Sequence, residues 1–585
     1  MTAQTEARFS RPNLKRQLGR YVPITLWLPA YAREHLSVDV IAGVTVWGVM
    51  TPVALAYAVM AGVPAVTGLY TAFAALLAYA IFGTSRHLKV TASSTMAVMS
   101  AAVVGSMAGG DPTRYLALTS GLALTVGVLL LLAGIARLGF ISDFLSKSVV
   151  TGFVFGLALT IVMGQLPKLF GVTASKGNFF QQLAGLITKL PQTNPKTLLL
   201  GASALAIILV IRRFYPRIPA GLVALVVGIL AVTIFHLDEK GVSTIGLFPT
   251  GLPTPGLPSI SLSDVPLLVT GAAGIVFLAV GESLGAARAF ATRHRYEIDA
   301  DQELIALGVS NLSAGLFRGF TADASLSSTA TGENAGGRTQ VSSLVTVALI
   351  FVTLLVLAPL FKNLPNAVLG AIVIVAVIGL MDVAELKRFY ASNRNDFVLA
   401  IVALFGVLIT DVLTGLIIAV FLSLLIILYR ASRPHLAVLG KVPDQVIGYG
   451  DIARHPENIT IPGLLIVRLD APLYFLNANV AHTQVVEMVA AHQPPPTAVI
   501  FHLGASTDLD VASLDMLRTL IVELEESDIK VFLAQVRGGV RDRLRKTGIM
   551  ETVGVHNVYP SVDAAVYDFQ QGTASAGTPD LPVEG

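Results

Sequence analysis

Apolar stretches follow one another from Val38 to Tyr429, separated by short polar breaks. A helix that crosses a bilayer needs roughly 20 mostly apolar residues. On that criterion the pattern predicts about 14 spans, several of them short. The first group is centred on residues 39–58, 67–82, 93–107, 115–136, 148–166, 197–211 and 220–235. A polar, Pro- and Gly-rich gap covers residues 236–264. The second group is centred on residues 265–287, 302–317, 325–335, 343–360, 367–380, 397–411 and 412–428. Two groups of equal, odd size imply that the second half runs inverted relative to the first. Each half carries a short, small-residue span in third position, at 93–107 and 325–335. Short spans at matching places in two halves point to a transporter's binding site.

Beyond Arg433 the pattern changes. Residues 442–449, 463–469 and 498–503 read as strands, with β-branched runs between turn residues. Residues 480–491, 511–527 and 540–547 read as amphipathic helices. Alternating strands and helices predict a small α/β domain. The expected organisation is an N-terminal tail (1–37), a membrane unit (38–430), an α/β domain (431–570) and a disordered Gly-, Pro- and Ala-rich tail (571–585).

Loop charges orient the chain. With an even number of spans both tails share one side, and the loops there should be rich in Arg and Lys. They are: Arg86, Lys89, Arg137, Lys147, Arg212, Arg213, Arg217, Arg288, Arg293, Arg295, Arg338, Lys387, Arg388, Arg394, Arg430 and Arg433. The opposite loops hold chiefly Lys176, Lys189 and Lys196. Both termini are therefore expected on the cytoplasmic side of the cell membrane.

Composition agrees. The chain of 585 residues is 54% hydrophobic and 13% charged, with a mean hydropathy of +0.72. Soluble domains carry roughly 25% charged residues. A net charge of +3 is too small to imply a nucleic-acid partner. Absence of cysteine removes disulfides, thiolate metal sites and cysteine nucleophiles. No phosphate loop, zinc motif or nucleophile–base pair stands at recognisable spacing, so an enzyme, a cofactor and a metal centre have no support. His87, His236 and His294 show no ligand spacing.

Glu282 is the first candidate for chemistry. It lies inside an apolar segment, where a charge costs about 2.5 kcal/mol or more. A buried carboxyl keeps its proton to higher pH than an exposed one, so it suits proton coupling. A helix-packing carboxylate bonded to nearby backbone is the simpler alternative. Gly281 and Gly285 flank Glu282 at a spacing that allows close backbone approach.

The two short spans open with hydroxyls: Thr91, Ser93, Ser94 and Thr95, and then Ser325, Ser327, Ser328 and Thr329. Helix N-termini attract anions through free N–H groups and the positive dipole end. Ser93, Ser94, Thr95, Ser325, Ser327 and Ser328 are thus candidate anion ligands. Helix capping alone is the plainer reading for one or two of them. Glu333 is expected near a solvated cytoplasmic end, and Asp411 in the loop between the last two spans.

Several runs carry a family resemblance. They are Glu282-Ser-Leu-Gly-Ala-Ala-Arg-Ala-Phe-Ala, Ile298-Asp-Ala-Asp-Gln-Glu-Leu-Ile-Ala-Leu-Gly, Asn311, Gly319-Phe and Ala335-Gly-Gly-Arg-Thr. The first half adds Ala56-Tyr-Ala, Ala61-Gly-Val-Pro, Gly68-Leu-Tyr and Phe82-Gly-Thr-Ser-Arg. The chain resembles the sulfate permease (SulP) family of anion transporters. Its C-terminal part, with Leu439-Gly-Lys-Val-Pro, Pro462-Gly-Leu-Leu and Leu473-Tyr-Phe-Leu-Asn-Ala, resembles a STAS domain.

The resemblance implies two inverted seven-span repeats forming core and gate domains that move as an elevator. It implies a substrate site between the third and tenth spans, a homodimer, and a possible cytoplasmic regulator at the STAS domain. Glu282 matches the family's acidic coupling position, which favours a proton over sodium. Two departures matter. Ser328 stands where many members keep an arginine, which shifts weight from sulfate toward bicarbonate or a monocarboxylate. In the STAS part, Ala512 occupies the phospho-acceptor position of bacterial relatives, with Ser513 beside it. The leading expectation is a proton-coupled secondary anion transporter. An uncoupled exchanger or channel, and a membrane-anchored sensor signalling through the STAS domain, remain open on the sequence.

Overall fold

The computed structural model describes residues 19–576 except 20, 141–145, 176, 216–217, 247–248, 411, 444 and 446–447. Asp411, Lys176, Arg217 and most of the N-terminal tail lie outside the described residues. Two compact units divide between Leu424 and Leu425.

The first unit is helical. Its first half holds α1 (Leu36–Met60), α2 (Val66–Phe82), β1 (Val90–Ala92), α3 (Ser94–Met107), α4 (Pro112–Ile135) and α5 (Lys147–Phe170). These are followed by α6 (Phe179–Lys189), α7 (Pro195–Phe214) and α8 (Ala220–Phe235). The second half holds α9 (Val265–Arg293), α10 (Ala300–Leu316), β2 (Ala322–Ala324), α11 (Leu326–Asn334) and α12 (Val341–Val352). It ends with α13 (Asn366–Ile378), α14 (Val383–Ser392), α15 (Arg394–Ile409) and α16 (Val412–Ser432). Every predicted apolar segment overlaps one of these helices; the one centred on 343–360 outruns α12 and continues as irregular helical turns to Asn363. Among the described residues, seven helical stretches are long and apolar enough to cross a membrane.

Local sequence starts the helices where polar and apolar patterns meet. Asp111 caps α4, accepting from Thr113 and Arg114 N–H at 2.8 and 3.3 Å, with Pro112 in the first turn. Asn194 and Pro195 repeat the device at α7. Gly171, at φ +68°, closes α5 in the left-handed conformation that glycine tolerates. The amphipathic α6 occupies what the sequence pattern left as a long loop.

Helix packing repeats under exchange of the halves. α1 packs on α12 as α9 packs on α4; α5 packs on α15 as α13 packs on α7. Glycines permit these approaches. A Cβ at Gly127 would lie 2.8 Å from the Gly308 carbonyl oxygen, and one at Gly308 2.9 Å from that of Gly127. At Gly152 on α5 a Cβ would overlap the Ala400 carbonyl oxygen of α15. Backbone cannot yield as a flexible side chain can, so Gly152→Ala should cost about 1–3 kcal/mol or more. The expected reading is a lowered midpoint of thermal unfolding in detergent; an unchanged midpoint would show that the helices part freely.

The second unit is α/β. Its strands are β3 (Leu436–Lys441), β4 (Tyr449–Asp451), β5 (Leu464–Leu469), β6 (Ala498–His502), β7 (Lys530–Ala534) and β8 (Val558–Tyr559), in sheet order β4-β3-β5-β6-β7-β8. The segment from β5 to β8 is parallel, while β3 runs antiparallel to both its neighbours. Alternation divides the faces: Leu465, Val467 and Leu469 enter one core and Leu464 and Ile466 the other. Helices α17 (Ala478–Ala491), α18 (Val511–Glu526), α19 (Gly538–Lys546) and α20 (Ile549–Val553) supply the first face. The last helix, α21 (Val562–Ala576), covers the second.

Two expectations are corrected here. The strand expected at 442–449 is mostly the connection between β3 and β4, because Pro443 removes a ladder donor. The expected disordered tail begins too early: α21 runs to Ala576, and residues 577–585 lie outside the described residues.

Candidate functional site

The two short helices share one origin. β1 and β2 pair antiparallel, with Val90 opposite Ala324, Thr91 opposite Asp323 and Ala92 opposite Ala322. α3 starts directly after β1 and α11 directly after β2. Ser93 caps α3, accepting from Met96 N–H at 3.2 Å. Ser325 caps α11, accepting from Ser328 N–H at 3.3 Å. Both positive helix ends thus arise at a single two-strand ladder inside the helical unit. The register sets the capping serines four positions apart along it (Ser325 N–H donates to Lys89 O at 2.8 Å). Four positions correspond to roughly 13 Å, so the helix ends are staggered rather than end to end.

Backbone mimicry holds the ladder. Asn311 on α10 accepts from Ala322 N–H at 2.9 Å and donates to Ala322 O at 3.0 Å, acting as a third strand. Thr71 on α2 accepts from Phe320 N–H at 3.0 Å, and Thr321 donates to Met96 O at 3.3 Å. Lys89 N–H reaches Thr329 Oγ1 at 3.0 Å. Such pinning suits short strands with too few ladder bonds of their own.

Ser93, Ser94, Thr95 and Ser328 are buried, and Ser325 partly so; Ser327 is exposed. Ser325 Oγ donates to Ser328 Oγ at 3.0 Å and lies 3.5 Å from Ser327 Oγ. Tyr57 of α1 interacts with the Ser94 hydroxyl. Glu282 on α9 is mostly buried, and its carboxyl has Thr95 and Asp323 as polar neighbours. The predicted acid and the first turn of the first short helix are thus joined. Gly285 does not serve helix packing as expected: it is exposed and a Cβ there would meet open space.

Asp323 was not legible as a site residue, because it stands at the very start of a short span and reads as a boundary. It is fully buried in β2. Its Oδ1 accepts from the Ser283 hydroxyl and from its neighbour Ala324 N–H, the latter at 2.7 Å.

Other polar residues move from their expected places. Lys89, expected in a solvated loop, is buried, and its ammonium donates to Ser342 and Ser343 hydroxyls at 2.7 and 2.8 Å. Glu333, expected to be solvated, is paired with Arg293 at 3.0 Å and His294 at 2.6 Å. His87 and His294, far apart in sequence, stack with ring centroids 4.2 Å apart. Buried Asp39 accepts from Arg338 N–H at 2.7 Å and the Thr339 hydroxyl at 2.7 Å. Buried Glu303 accepts from Tyr79 at 2.5 Å and from Ser85 N–H at 3.0 Å. These two acids tie loops to helices. No group of three or more His, Asp or Glu suited to a metal occurs among the described residues.

In the α/β unit, Asp510 caps α18, accepting from Ser513 N–H at 2.9 Å, Ser513 Oγ at 2.7 Å and Phe475 N–H at 2.7 Å. Burial pushes its carboxyl up, but these donors outweigh it and hold the group below the usual range. Ser513 is fully buried by this cap, so it offers no open hydroxyl beside Ala512.

Residues 36–403 match the sulfate permease family, and residues 455–565 match the STAS domain. The chain belongs to the sulfate permease family. A probable sulfate transporter of Mycobacterium tuberculosis is 36% identical over 94% of this chain and 98% of its own length. The chloroplastic sulfate transporter 4.1 of Arabidopsis thaliana is 30% identical over 98% of this chain and 86% of its own length. Among solved structures, the murine solute carrier 26 family member A9 anion transporter, in its inward-facing state, superposes with a TM-score of 0.87 at 23% identity, covering 97% of each chain. The transmembrane domain of a cyanobacterial bicarbonate transporter, BicA, superposes with a TM-score of 0.59 at 25% identity, over 68% of this chain and 98% of its own. The fold is therefore that of a family of membrane transporters, with a helical core and an α/β STAS domain.

Proposed function

We propose that this protein is a secondary transporter that moves small anions through a cell membrane together with a proton. The observation that carries the proposal is the ladder: two helix N-termini start from it, and the Glu282 carboxyl has Thr95, in the first turn of α3, as a polar neighbour. Anion-attracting backbone and a proton-accepting side chain then share one site, so occupancy of one alters the energy of the other. An ionised Glu282 repels an incoming anion; a protonated one does not.

The packing that repeats under exchange of the halves, with antiparallel β1 and β2, supports two inverted seven-span repeats. α1–α4 with α9–α12 form the core, and α5, α7, α8, α13, α15 and α16 the gate. The core carries the ladder against the gate in an elevator movement. Both termini face the cytoplasm, the chain works as a homodimer, and the STAS domain is the contact for a cytoplasmic regulator.

Relatives named for sulfate and bicarbonate support a small anion as the cargo. With Ser328 in the arginine position, no fixed guanidinium favours a dianion. Without that cation a monoanion is favoured over a dianion, which leaves bicarbonate and a monocarboxylate as the candidate cargoes. The test is a flux screen in liposomes across formate, acetate, bicarbonate and sulfate, with and without a pH gradient. Accumulation driven by an inward proton gradient, faster than in protein-free liposomes, is expected for a monoanion. Absence of flux for every anion would leave a sensor; flux indifferent to the gradient would leave an uncoupled exchanger or channel.

A further inference from the structure

We propose that Asp323 is held as a neutral carboxylic acid whose Oδ2–H donates to Glu282, making it the positioning residue that sets how readily Glu282 takes the transported proton. The proposal rests on the proton-symport reading above and adds a second acid with a separate task.

The geometry of Asp323 is one-sided. Oδ1 is satisfied by two donors, the Ser283 hydroxyl and Ala324 N–H. Oδ2 makes no well-formed hydrogen bond, although it is shut away from water. The ionisable neighbour of Asp323 is the Glu282 carboxyl, and Oδ2 is the oxygen left free to meet it. An ionised Asp323 would leave a buried acceptor facing another acid, with no donor between them. Two carboxylates in contact do not both stay ionised in a dry site. A proton on Oδ2 resolves both problems. Oδ1 keeps its donors, and Oδ2–H becomes a donor aimed at Glu282.

No cation offers an alternative. Among the groups acting on these two carboxyls, none is a lysine, arginine or histidine. On α9 itself, Arg288 lies on the exposed side and Arg293 pairs with Glu333 at 3.0 Å. α3 carries no ionisable residue. α4 brings Arg114, which pairs with Asp264 at 2.8 Å. α10 brings Asp301 and Glu303, the latter bonded to Tyr79 at 2.5 Å. Next to β1, the Lys89 ammonium is engaged by Ser342 and Ser343. The pair therefore balances its charge with protons, one retained by Asp323 and one exchanged at Glu282.

This assignment makes an unusual forecast for an acid. Asn reproduces the protonated form: its carbonyl oxygen takes the Oδ1 donors and its amide donates to Glu282. Asp323→Asn should keep the pH midpoint of uptake close to that of the parent protein. Asp323→Ala removes the donor, and the Glu282 carboxylate loses one charge-assisted hydrogen bond. The midpoint should then move upward by about one pH unit. Uptake of formate by proteoliposomes, titrated over external pH, reads both. A downward shift in Asp323→Asn would mean that a negative charge had been removed, and would overturn the proposal.

A second readout does not depend on transport. Infrared spectra of the reconstituted full-length protein at alkaline pH should retain a protonated-carboxyl stretch that Asp323→Asn abolishes and Glu282→Gln preserves. Loss of no band in Asp323→Asn overturns the assignment even if Asp323→Ala fails to yield monodisperse protein. If the band behaves as expected but uptake ignores the pH gradient, the symport reading fails and the neutral acid stands.

Discussion

Replacing Glu282 with glutamine should abolish proton-driven accumulation while leaving anion exchange in place. Glutamine keeps the size and polarity of a protonated glutamate, so Thr95 and Asp323 retain a partner of the right shape. It cannot bind or release a proton. A one-to-one symport under a gradient of one pH unit has about 1.4 kcal/mol to spend, enough for roughly tenfold accumulation of a monoanion. In Glu282→Gln that ratio should fall to one, because the site is locked in a form equivalent to the loaded one. Exchange of labelled for unlabelled formate across liposomes needs no proton and should continue. Persistent tenfold accumulation would remove Glu282 from the coupling role. Loss of exchange as well would make it a ligand or a structural residue rather than the proton carrier.

The second large effect is expected on selectivity. Ser328 lies buried in the first turn of α11, with its hydroxyl held by Ser325 at 3.0 Å. The family resemblance implies an arginine at this position in many members, so the fold is expected to take the longer side chain. Ser328→Arg adds a fixed charge beside the ladder. Each unit of ligand charge gains separately from that cation, so a dianion gains more than a monoanion. At separations of roughly 8–16 Å and an effective dielectric near 20, the extra gain is about 1–2 kcal/mol, or roughly five- to thirtyfold in relative affinity. Competition of sulfate against labelled formate uptake, in parent and variant, gives the ratio directly. Equal gains for both anions would show that position 328 does not face the cargo.

The register of β1 and β2 gives these variants their meaning. Nothing in the hydrophobic pattern marks Val90–Ala92 or Ala322–Ala324 as strands, since three residues carry too little periodicity to read. Their pairing is held by Asn311 and Thr71, which arrive from other helices, and by Thr321 beside β2, which donates to Met96 O on α3. Asp323 stayed hidden for the same reason. As a residue at a segment edge it looks solvated; only the ladder shows that it is enclosed and turned toward Glu282. Lys89 and Glu333 repeat the lesson from the other direction. A charge count along a loop treats both as solvated, whereas one is enclosed by serines and the other paired with Arg293 and His294.

Much was nevertheless written in the chain itself. The apolar segments, the two short hydroxyl-led helices, Glu282 inside a span and the change to an α/β pattern after Arg433 are all local properties. Each follows from how many consecutive residues avoid water and from the period with which they do so, and neither depends on distant contacts. The opening residues of α3 and α11 could be located for that reason. Their stagger along one ladder, the burial of Asp323 against Glu282 and the stacking of His87 on His294 depend on segments far apart in sequence. Hydrophobicity says which residues leave water but not which polar groups then share the interior. In a low-dielectric core that choice of partners decides where a proton rests, and it is settled only when the helices have packed.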